Sequence, residues 1–194
     1  MNAFNFIFEK ENSINDTLID DVIDLYKEER EKDNFCDFII MYDDNFTKFK
    51  AYLLNEITEK LFSYIIWVAE QTNDAELKQY FRETFECVNG NVSEFKITTN
   101  IFKNKEVDVI NEKRLIQCYD KKYSNKITML KFIWFMNDYD GEIFIQNHKI
   151  IPKKGKLIIF PTSWCFPYQE INNVSSEIIT ISGFFYKNIY LKKG

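Results

Sequence analysis

The spacing of hydrophobic residues divides the chain into an N-terminal part with a helical period and a C-terminal part with a strand period. Over residues 17–31, apolar side chains recur at three- and four-residue intervals, directly after Asn15 and Asp16, which can cap a helix. The same period recurs over about 47–71, and a shorter helix is expected near 75–87. The predicted buried faces are Leu18, Ile19, Val22, Ile23 and Tyr26 in the first helix, and Phe49, Leu53, Ile57, Phe62, Ile65 and Ala69 in the second.

After residue 90 the pattern changes to short segments rich in β-branched and aromatic residues, separated by turn-forming pairs such as Asp140-Gly141 and Lys154-Gly155. Helices followed by several short strands, without regular alternation of the two, are typical of an α+β domain. The strands are expected to close as a sandwich or barrel with the helices supporting one face. The predicted strands span residues 95–102, 127–136, 141–146, 156–160 and 178–186.

The length of the chain, 194 residues, suits one domain with a substantial core and is too short for two ordinary domains. We therefore expect residues 1–194 to form a single domain. Its helical support would span about residues 13–88, and its β core about residues 94–190.

The formal net charge of −5 is unevenly distributed along the chain. Residues 1–90 carry 20 acidic and 9 basic side chains, whereas residues 91–194 carry 10 acidic and 16 basic ones. The two parts are expected either to attract each other or to offer surfaces of opposite sign. Nucleic-acid binding usually needs a stronger basic excess, so an unknown protein partner or a second copy of the chain is the expected partner.

The cysteines and the apolar segments predict a soluble protein of a reducing, intracellular compartment. The four cysteines, Cys36, Cys87, Cys118 and Cys165, form no C-x-x-C pair, so neither a zinc ribbon nor a redox dithiol is indicated. No signal-peptide pattern opens the chain. The most apolar stretch, residues 61–69, is far too short to span a bilayer, so no membrane association is expected.

The chain contains one histidine, His148. Counting alone therefore excludes any mechanism that needs two imidazoles from one subunit, including a two-histidine iron site and H-E-x-x-H hydrolysis. His148 precedes a Pro-Lys-Lys-Gly turn, and we interpret it as a surface turn residue.

Three consecutive segments of the C-terminal half carry a more specific pattern. They read FIWFMNDYDGEIF over 132–144, IIPKKGKLIIFP over 150–161 and TSWCFPY over 162–168. In order and spacing they resemble segments of the prolyl-4-hydroxylase-like 2-oxoglutarate/Fe(II) dioxygenases: the Leu-Asn-Asp turn after a strand, the Pro-Lys-Lys-Gly hairpin, and the aromatic-Pro loop that delivers an iron histidine. The last predicted strand, 178–186, resembles the final strand of that family. The similarity covers roughly residues 94–190.

This resemblance implies a double-stranded β-helix, a jelly-roll or cupin-like fold in which iron and 2-oxoglutarate bind between two facing sheets. The chain looks most like the short, single-domain viral or phage members of the family. Kinship with those members would place it in a host cytoplasm or a virion.

The resemblance also locates the site positions, and there the chain departs from the family. The His-x-Asp motif falls on Cys118 and Asp120, and the second iron histidine falls on Tyr168. The basic residue that anchors 2-oxoglutarate falls on Glu177, which reverses the charge. We expect Cys118, Asp120 and Tyr168 to converge at one end of the β core with Glu177 within reach.

These departures predict a protein with no resident cofactor that serves as a non-catalytic binding or scaffolding module. The alternative is an active oxygenase that keeps Fe(II) and 2-oxoglutarate through non-standard or intersubunit ligands. An unrelated β-sandwich of the capsid or lectin type is a third alternative. Three loop aromatics, Tyr139, Trp164 and Phe166, are candidates to line a binding mouth or a subunit contact.

Overall fold

A computed structural model describes residues 6–33, 37–39, 44–72, 76, 79, 92–100, 108–109, 126–162, 168–171 and 177–188. Within these residues the helices are α1 (Asp16–Asp33) and α2 (Thr47–Thr72), the latter preceded by a short 3₁₀ turn (Asp44–Phe46). The strands are β1 (Phe8–Lys10), β2 (Asp37–Ile39), β3 (Val92–Asn100), β4 (Asp108–Val109), β5 (Lys126–Phe135), β6 (Glu142–Ile145), β7 (His148–Ile150), β8 (Leu157–Pro161), β9 (Tyr168–Ile171) and β10 (Ile178–Asn188).

The strands form two sheets with antiparallel pairing between neighbouring strands. The larger sheet has the order β1-β8-β5-β10-β3-β2, and the smaller sheet has the order β4-β9-β6-β7. From β5 onward the chain moves back and forth between the sheets, because β5, β8 and β10 belong to the larger one while β6, β7 and β9 belong to the smaller one. Helices combined with antiparallel sheets confirm the α+β class.

Helix α1 begins where its cap predicts. The side-chain oxygen of Asn15 accepts a hydrogen bond from the backbone N–H of Thr17 at 2.8 Å, and its carbonyl accepts one from Ile19 at 3.1 Å. The predicted face is buried at Ile19, Val22, Ile23 and Tyr26, whereas Leu18 is half-buried.

Helix α2 has the predicted length, but one part of its predicted face is wrong. Phe62 is 39% exposed, and the buried line continues instead through Leu61, Tyr64 and Val68. The reason is geometric: a step of five residues from Ile57 to Phe62 leaves the buried stripe, whereas a step of four to Leu61 follows the helical period of 3.6.

Two hydrophobic clusters organise the layers. The first lies between the helices and the larger sheet, and the second lies between the two sheets. Strand β5 shows how alternation serves both clusters, because Phe132 and Trp134 belong to the first while Ile133 and Phe135 belong to the second. A sheet buried on both faces explains why this strand reads as an almost continuous apolar run.

All five predicted strands are present, with ends shifted by a few residues. Five further strands, β1, β2, β4, β7 and β9, have only two to four residues each and were not predicted. Such short strands carry too little hydrophobic pattern to be recognised and are specified by their partners. The predicted helix near 75–87 lies outside the described residues, apart from Glu76 and Gln79, which are helical.

Neither of the described helices combines the length and the apolar character that crossing a membrane would require.

Candidate functional site

The space between the two sheets is the candidate site, and the larger sheet supplies one of its walls. We call the side of β5, β8 and β10 that faces the smaller sheet the inner face. At one end this face is apolar and closed, since Ile133, Ile158 and Ile178 are each at most 7% exposed. Ile143 and Ile145 of β6 pack against them from the smaller sheet.

The inner face becomes more polar and more open along the strands. Ser182 lies beside Ile133 across the β5–β10 pair, and in the next row Phe184 lies beside Lys131. Lys131, Ser182 and Phe184 are all half-buried, in contrast to the closed apolar end. This end of the space between the sheets is therefore partly accessible to solvent.

Lys131 places a positive charge on this wall. It lies on β5, which is paired on both edges, with Phe160 of β8 on one side and Phe184 of β10 on the other. Its ammonium lies 5.7 Å from the centre of the Phe184 ring, within the range of a cation–π contact. Sequence analysis missed this residue, because a lysine within a hydrophobic run reads as an exposed position until the sheet facing it is known.

Glu177 is directed to the helical layer. Its carboxylate pairs with the guanidinium of Arg30 on α1 at 2.5 Å, and both side chains are about one-third exposed. The next residue, Ile178, lies between the sheets and is 2% exposed. The reversed charge at residue 177 therefore does not face the candidate site.

Asn137, which belongs to the motif that suggested the family, has a structural role. Its side-chain oxygen accepts a hydrogen bond from the Ile179 N–H at 2.7 Å, and its amide donates one to the Glu177 carbonyl at 2.7 Å. These bonds hold the start of β10 against the end of β5. The neighbouring Asp138 accepts a hydrogen bond from the Lys154 N–H at 2.9 Å, which is the turn chemistry expected of a loop carboxylate.

The structure locates two more of the candidate residues. Tyr139 is 4% exposed and packs in the cluster between the sheets. Tyr168 is the first residue of β9, where its backbone pairs with Ile145 at the end of β6. Cys118, Asp120, Trp164 and Phe166 lie outside the described residues, so their predicted convergence stays a prediction.

The single histidine does not lie in a turn, as the sequence suggested, but begins β7. Its Nε2 is 2.6 Å from Glu9 Oε1, and Lys156 Nζ is 2.6 Å from Glu9 Oε2 and 3.2 Å from Glu11 Oε1. We call Glu9, Glu11, His148 and Lys156 the edge cluster. Burial works against ionisation of Glu9, but the hydrogen bonds from Lys156 and His148 outweigh it and hold the pKa of Glu9 below its usual value.

A two-imidazole iron site does not fit the donor set of this chain, because its one histidine belongs to the edge cluster. Within the described ranges, no three His, Cys, Asp or Glu side chains are grouped so that they could hold a metal ion.

Comparison with solved structures finds proteins with the same fold over nearly the whole chain. A viral collagen prolyl hydroxylase from Paramecium bursaria Chlorella virus-1, in a truncated form, is 11% identical with a TM-score of 0.55, and the match covers 96% of this chain and 99% of that one. The same enzyme in complex with 2OG gives 11% identity and a TM-score of 0.56, covering 94% and 97%. A prolyl-4-hydroxylase from Pseudomonas putida gives 8% identity and a TM-score of 0.50, covering 95% and 94%. At these identities the similarity concerns the fold alone.

No protein-family model and no curated protein matches the sequence.

Proposed function

We propose that this chain is a non-catalytic relative of the prolyl-4-hydroxylase-like 2-oxoglutarate/Fe(II) dioxygenases. In this proposal the two sheets form a double-stranded β-helix that serves as a binding or scaffolding module. The observation that carries the proposal is the position of the one histidine, His148, which is bound to Glu9 in the edge cluster.

Oxygen activation in this fold family relies on two neutral imidazoles and one carboxylate around iron. Here the corresponding positions are Cys118, Asp120 and Tyr168. A thiol and a phenol, with ordinary pKa values of about 8.5 and 10, would both have to lose protons to bind iron. Three anionic ligands would create an electronically different centre, so we propose that this trio fills the former site by packing and hydrogen bonding.

The residues on the inner face of β10 support the proposal that this chain lacks the family's 2-oxoglutarate anchor. Its residues in the first half of the strand are Ile178, Thr180 and Ser182, and none of these is basic. Glu177, the aligned position, pairs with Arg30 on the opposite side of the sheet. We propose that the chain does not bind 2-oxoglutarate in the way that an iron-dependent hydroxylase does.

The partner that we propose is another protein or a second copy of the chain. The likeness of the fold to that of a viral enzyme supports a viral origin, with a host cytoplasm or virion as the location. We also propose that the chain has no resident cofactor.

The alternative is an active oxygenase with non-standard or intersubunit metal ligands. One observation favours it. The fold matches, over 94% of this chain, that of an enzyme whose structure was solved in complex with 2OG. It predicts release of succinate from 2-oxoglutarate that depends on iron.

Anaerobic titration of the metal-free protein with Fe(II) or Mn(II), followed by 2-oxoglutarate, separates the two functions. We expect no saturable micromolar metal binding and no succinate release over hours. The matched variant is the double replacement Cys118→His with Tyr168→His, which restores two imidazoles beside Asp120 and is expected to create a metal site. Tight metal binding by the unmodified chain, with 2-oxoglutarate turnover, would overturn the proposal.

A further inference from the structure

We infer that the outer side of helix α2 is a self-association surface, on which a second copy of this chain docks with its own α2 running in the opposite direction. The proposed function leaves the partner open between another protein and a second copy, and the inference rests on that proposal only in the class of partner. The surface is separate from the candidate site, because α2 packs on the other face of the larger sheet.

The first argument is an apolar stripe that the fold of one chain leaves uncovered. Among the described residues, four large hydrophobic side chains are exposed, and three of them lie on α2: Tyr52 at 43%, Phe62 at 39% and Ile66 at 59%. Asn55 and Glu59 are also exposed, and the five residues recur every three or four positions, so they share one side of the helix. We call these five residues the outer stripe. Single exposed apolar residues are ordinary, whereas a line of them marks an interaction surface.

The opposite side of α2 is already buried. Leu53, Ile57 and Leu61 are fully buried in the cluster between the helices and the larger sheet. A helix that carries apolar residues on both sides is typical of a helix that is covered on both sides. The fold of one chain covers the first side, and the outer stripe is the side that a partner covers.

The charges at the two ends of α2 identify the partner. Lys48 lies in the first turn and Glu70 in the last turn, and both are exposed. Each has an unfavourable sign for its position, because a helix favours anions near its N-terminus and cations near its C-terminus. The ammonium of Lys48 lies 4.5 Å from the centre of the Phe49 ring, a contact that does not neutralise its charge.

Antiparallel pairing of two copies compensates both ends at once. Lys48 is four residues before Tyr52 and Glu70 is four residues after Ile66, so both charges lie on the same side as the outer stripe and at equal distances from its ends. In an antiparallel pair, Lys48 of each copy meets Glu70 of the other in the same register in which Tyr52 meets Ile66. The helix dipoles are then also opposed. A parallel pair would place like charges together.

The size of the surface and the residue at its centre limit the affinity. Helix α2 has 26 residues, so it is about 39 Å long and, at a width of about 10 Å, contributes about 400 Å² from each copy. Interfaces of this size belong to weak, transient complexes. Glu59 lies midway between Lys48 and Glu70 and therefore faces its counterpart, and two like charges oppose the pairing. We expect a reversible dimer.

Sedimentation equilibrium of the full chain from about 10 μM to about 1 mM tests the inference, and we expect dimerisation that increases with concentration. Ile66→Ser should weaken it about tenfold or more, because the lost apolar contact occurs twice in a symmetric dimer. The matched control is Ile151→Ser, since Ile151 is 53% exposed but lies outside α2, and its dissociation constant should be unchanged. Glu59→Gln should tighten the dimer by removing the central repulsion.

The end charges supply a test of the antiparallel direction. Lys48→Glu and Glu70→Lys should each weaken self-association, because each variant brings like charges together at both ends of the pair. An equimolar mixture of the two variants should recover the association, since both end contacts of the mixed dimer join opposite charges. The recovery should fade at about 1 M salt, where surface charges are screened within a few ångströms.

A chain that remains monomeric over the whole concentration range would overturn the inference, and so would equal dissociation constants for Ile66→Ser and Ile151→Ser. A mixture of Lys48→Glu and Glu70→Lys that associates no better than either variant alone would overturn the antiparallel arrangement. Melting temperatures of the variants show that each is folded. Failure of the proposed function has a different signature, because it requires iron-dependent turnover of 2-oxoglutarate, which self-association neither supplies nor removes.

Discussion

His148 of β7 and Glu9 of β1 join the edge strand of the smaller sheet to the edge strand of the larger one, with 2.6 Å between Nε2 and Oε1. Lys156, only 5% exposed, binds the other oxygen of the same carboxylate. The one histidine of the chain thus helps to close an edge of the sandwich. Unpaired sheet edges can pair with strands of other chains, so a cluster with charged side chains at this point also disfavours pairing of this edge with another strand.

The first prediction concerns acid stability. The pKa of Glu9 is lowered in the folded chain, because the hydrogen bonds from Lys156 and His148 outweigh the opposing effect of burial. A lowered pKa contributes stability that is fully present above the unfolded value of 4.5 and is lost as the pH falls through the lower folded value. Glu9→Gln should therefore cost about 1 kcal/mol at pH 7 and less at pH 3, below the unfolded value of 4.5. Urea denaturation of both proteins across this range measures the difference.

The control for Glu9 is Glu31→Gln, an exposed substitution on α1 that should change the free energy of unfolding little at either pH. A cost of Glu9→Gln that is the same at pH 7 and pH 3 would show that the carboxylate charge does not hold the edge cluster together.

The second prediction concerns Glu177. If this residue faced the space between the sheets, Glu177→Lys would restore a basic anchor and increase affinity for 2-oxoglutarate. Because its carboxylate pairs with Arg30, we expect instead no gain in affinity and a loss of about 1 kcal/mol of stability from two facing cations. The charge-swapped pair Arg30→Glu with Glu177→Lys should recover the stability. Tighter 2-oxoglutarate binding by the single variant would contradict the observed orientation.

The third prediction concerns Gly141, which follows the predicted Asp140 turn. A Cβ built at Gly141 would overlap the ring of Tyr139, and this ring is held at 4% exposure in the cluster between the sheets. Gly141→Ala should therefore cost about 1–3 kcal/mol through displacement of the ring. In a Tyr139→Leu background the same substitution should cost much less, and thermal denaturation of the four proteins in this cycle measures the coupling. Additive costs would mean that the ring is not the obstacle.

The fourth prediction concerns a buried hydrogen-bond chain beside α1. The Trp134 indole donates to Ser13 Oγ at 2.5 Å, and Ser13 Oγ donates to the Gly155 carbonyl at 2.8 Å. Ser13→Ala leaves the buried indole N–H without this acceptor, at a cost of about 1–3 kcal/mol. Ser63→Ala, which removes an exposed hydroxyl bonded to the Glu59 carbonyl of α2, is the matched control and should be nearly neutral. Equal denaturation midpoints for the two variants would refute the role of Ser13.

The long elements followed directly from local pattern. A hydrophobic period or a continuous β-branched run can be recognised only in an element with enough residues. This condition is met by helices α1 and α2 and by strands β3, β5 and β10. The cap at Asn15 could be predicted for the same reason. Its partner, the backbone N–H of Thr17, is only two residues away, so the contact does not depend on the tertiary structure. Phe62 shows the limit of local pattern, because Phe62 and Leu61 are both apolar and the helical period places Leu61, not Phe62, on the buried face.

The short strands and the direction of individual side chains were decided by tertiary structure. Strand β7 is three residues long and exists because Ile145 and Ile143 of β6 pair with His148 and Ile150. Glu177 directly precedes β10, but only the packing of α1 against the larger sheet turned its carboxylate toward Arg30.

The sequence alone established that two imidazoles cannot meet in one copy of this chain, because counting histidines does not depend on the fold. It also determined the α+β class, since helical and strand periods are properties of neighbouring residues. The orientation of Lys131 toward the space between the sheets and the position of His148 at their edge became evident only from the folded chain. Both facts depend on contacts between strands that are distant in the chain. A local hydrophobic pattern does not specify which face of a strand will be covered by another sheet or by a helix.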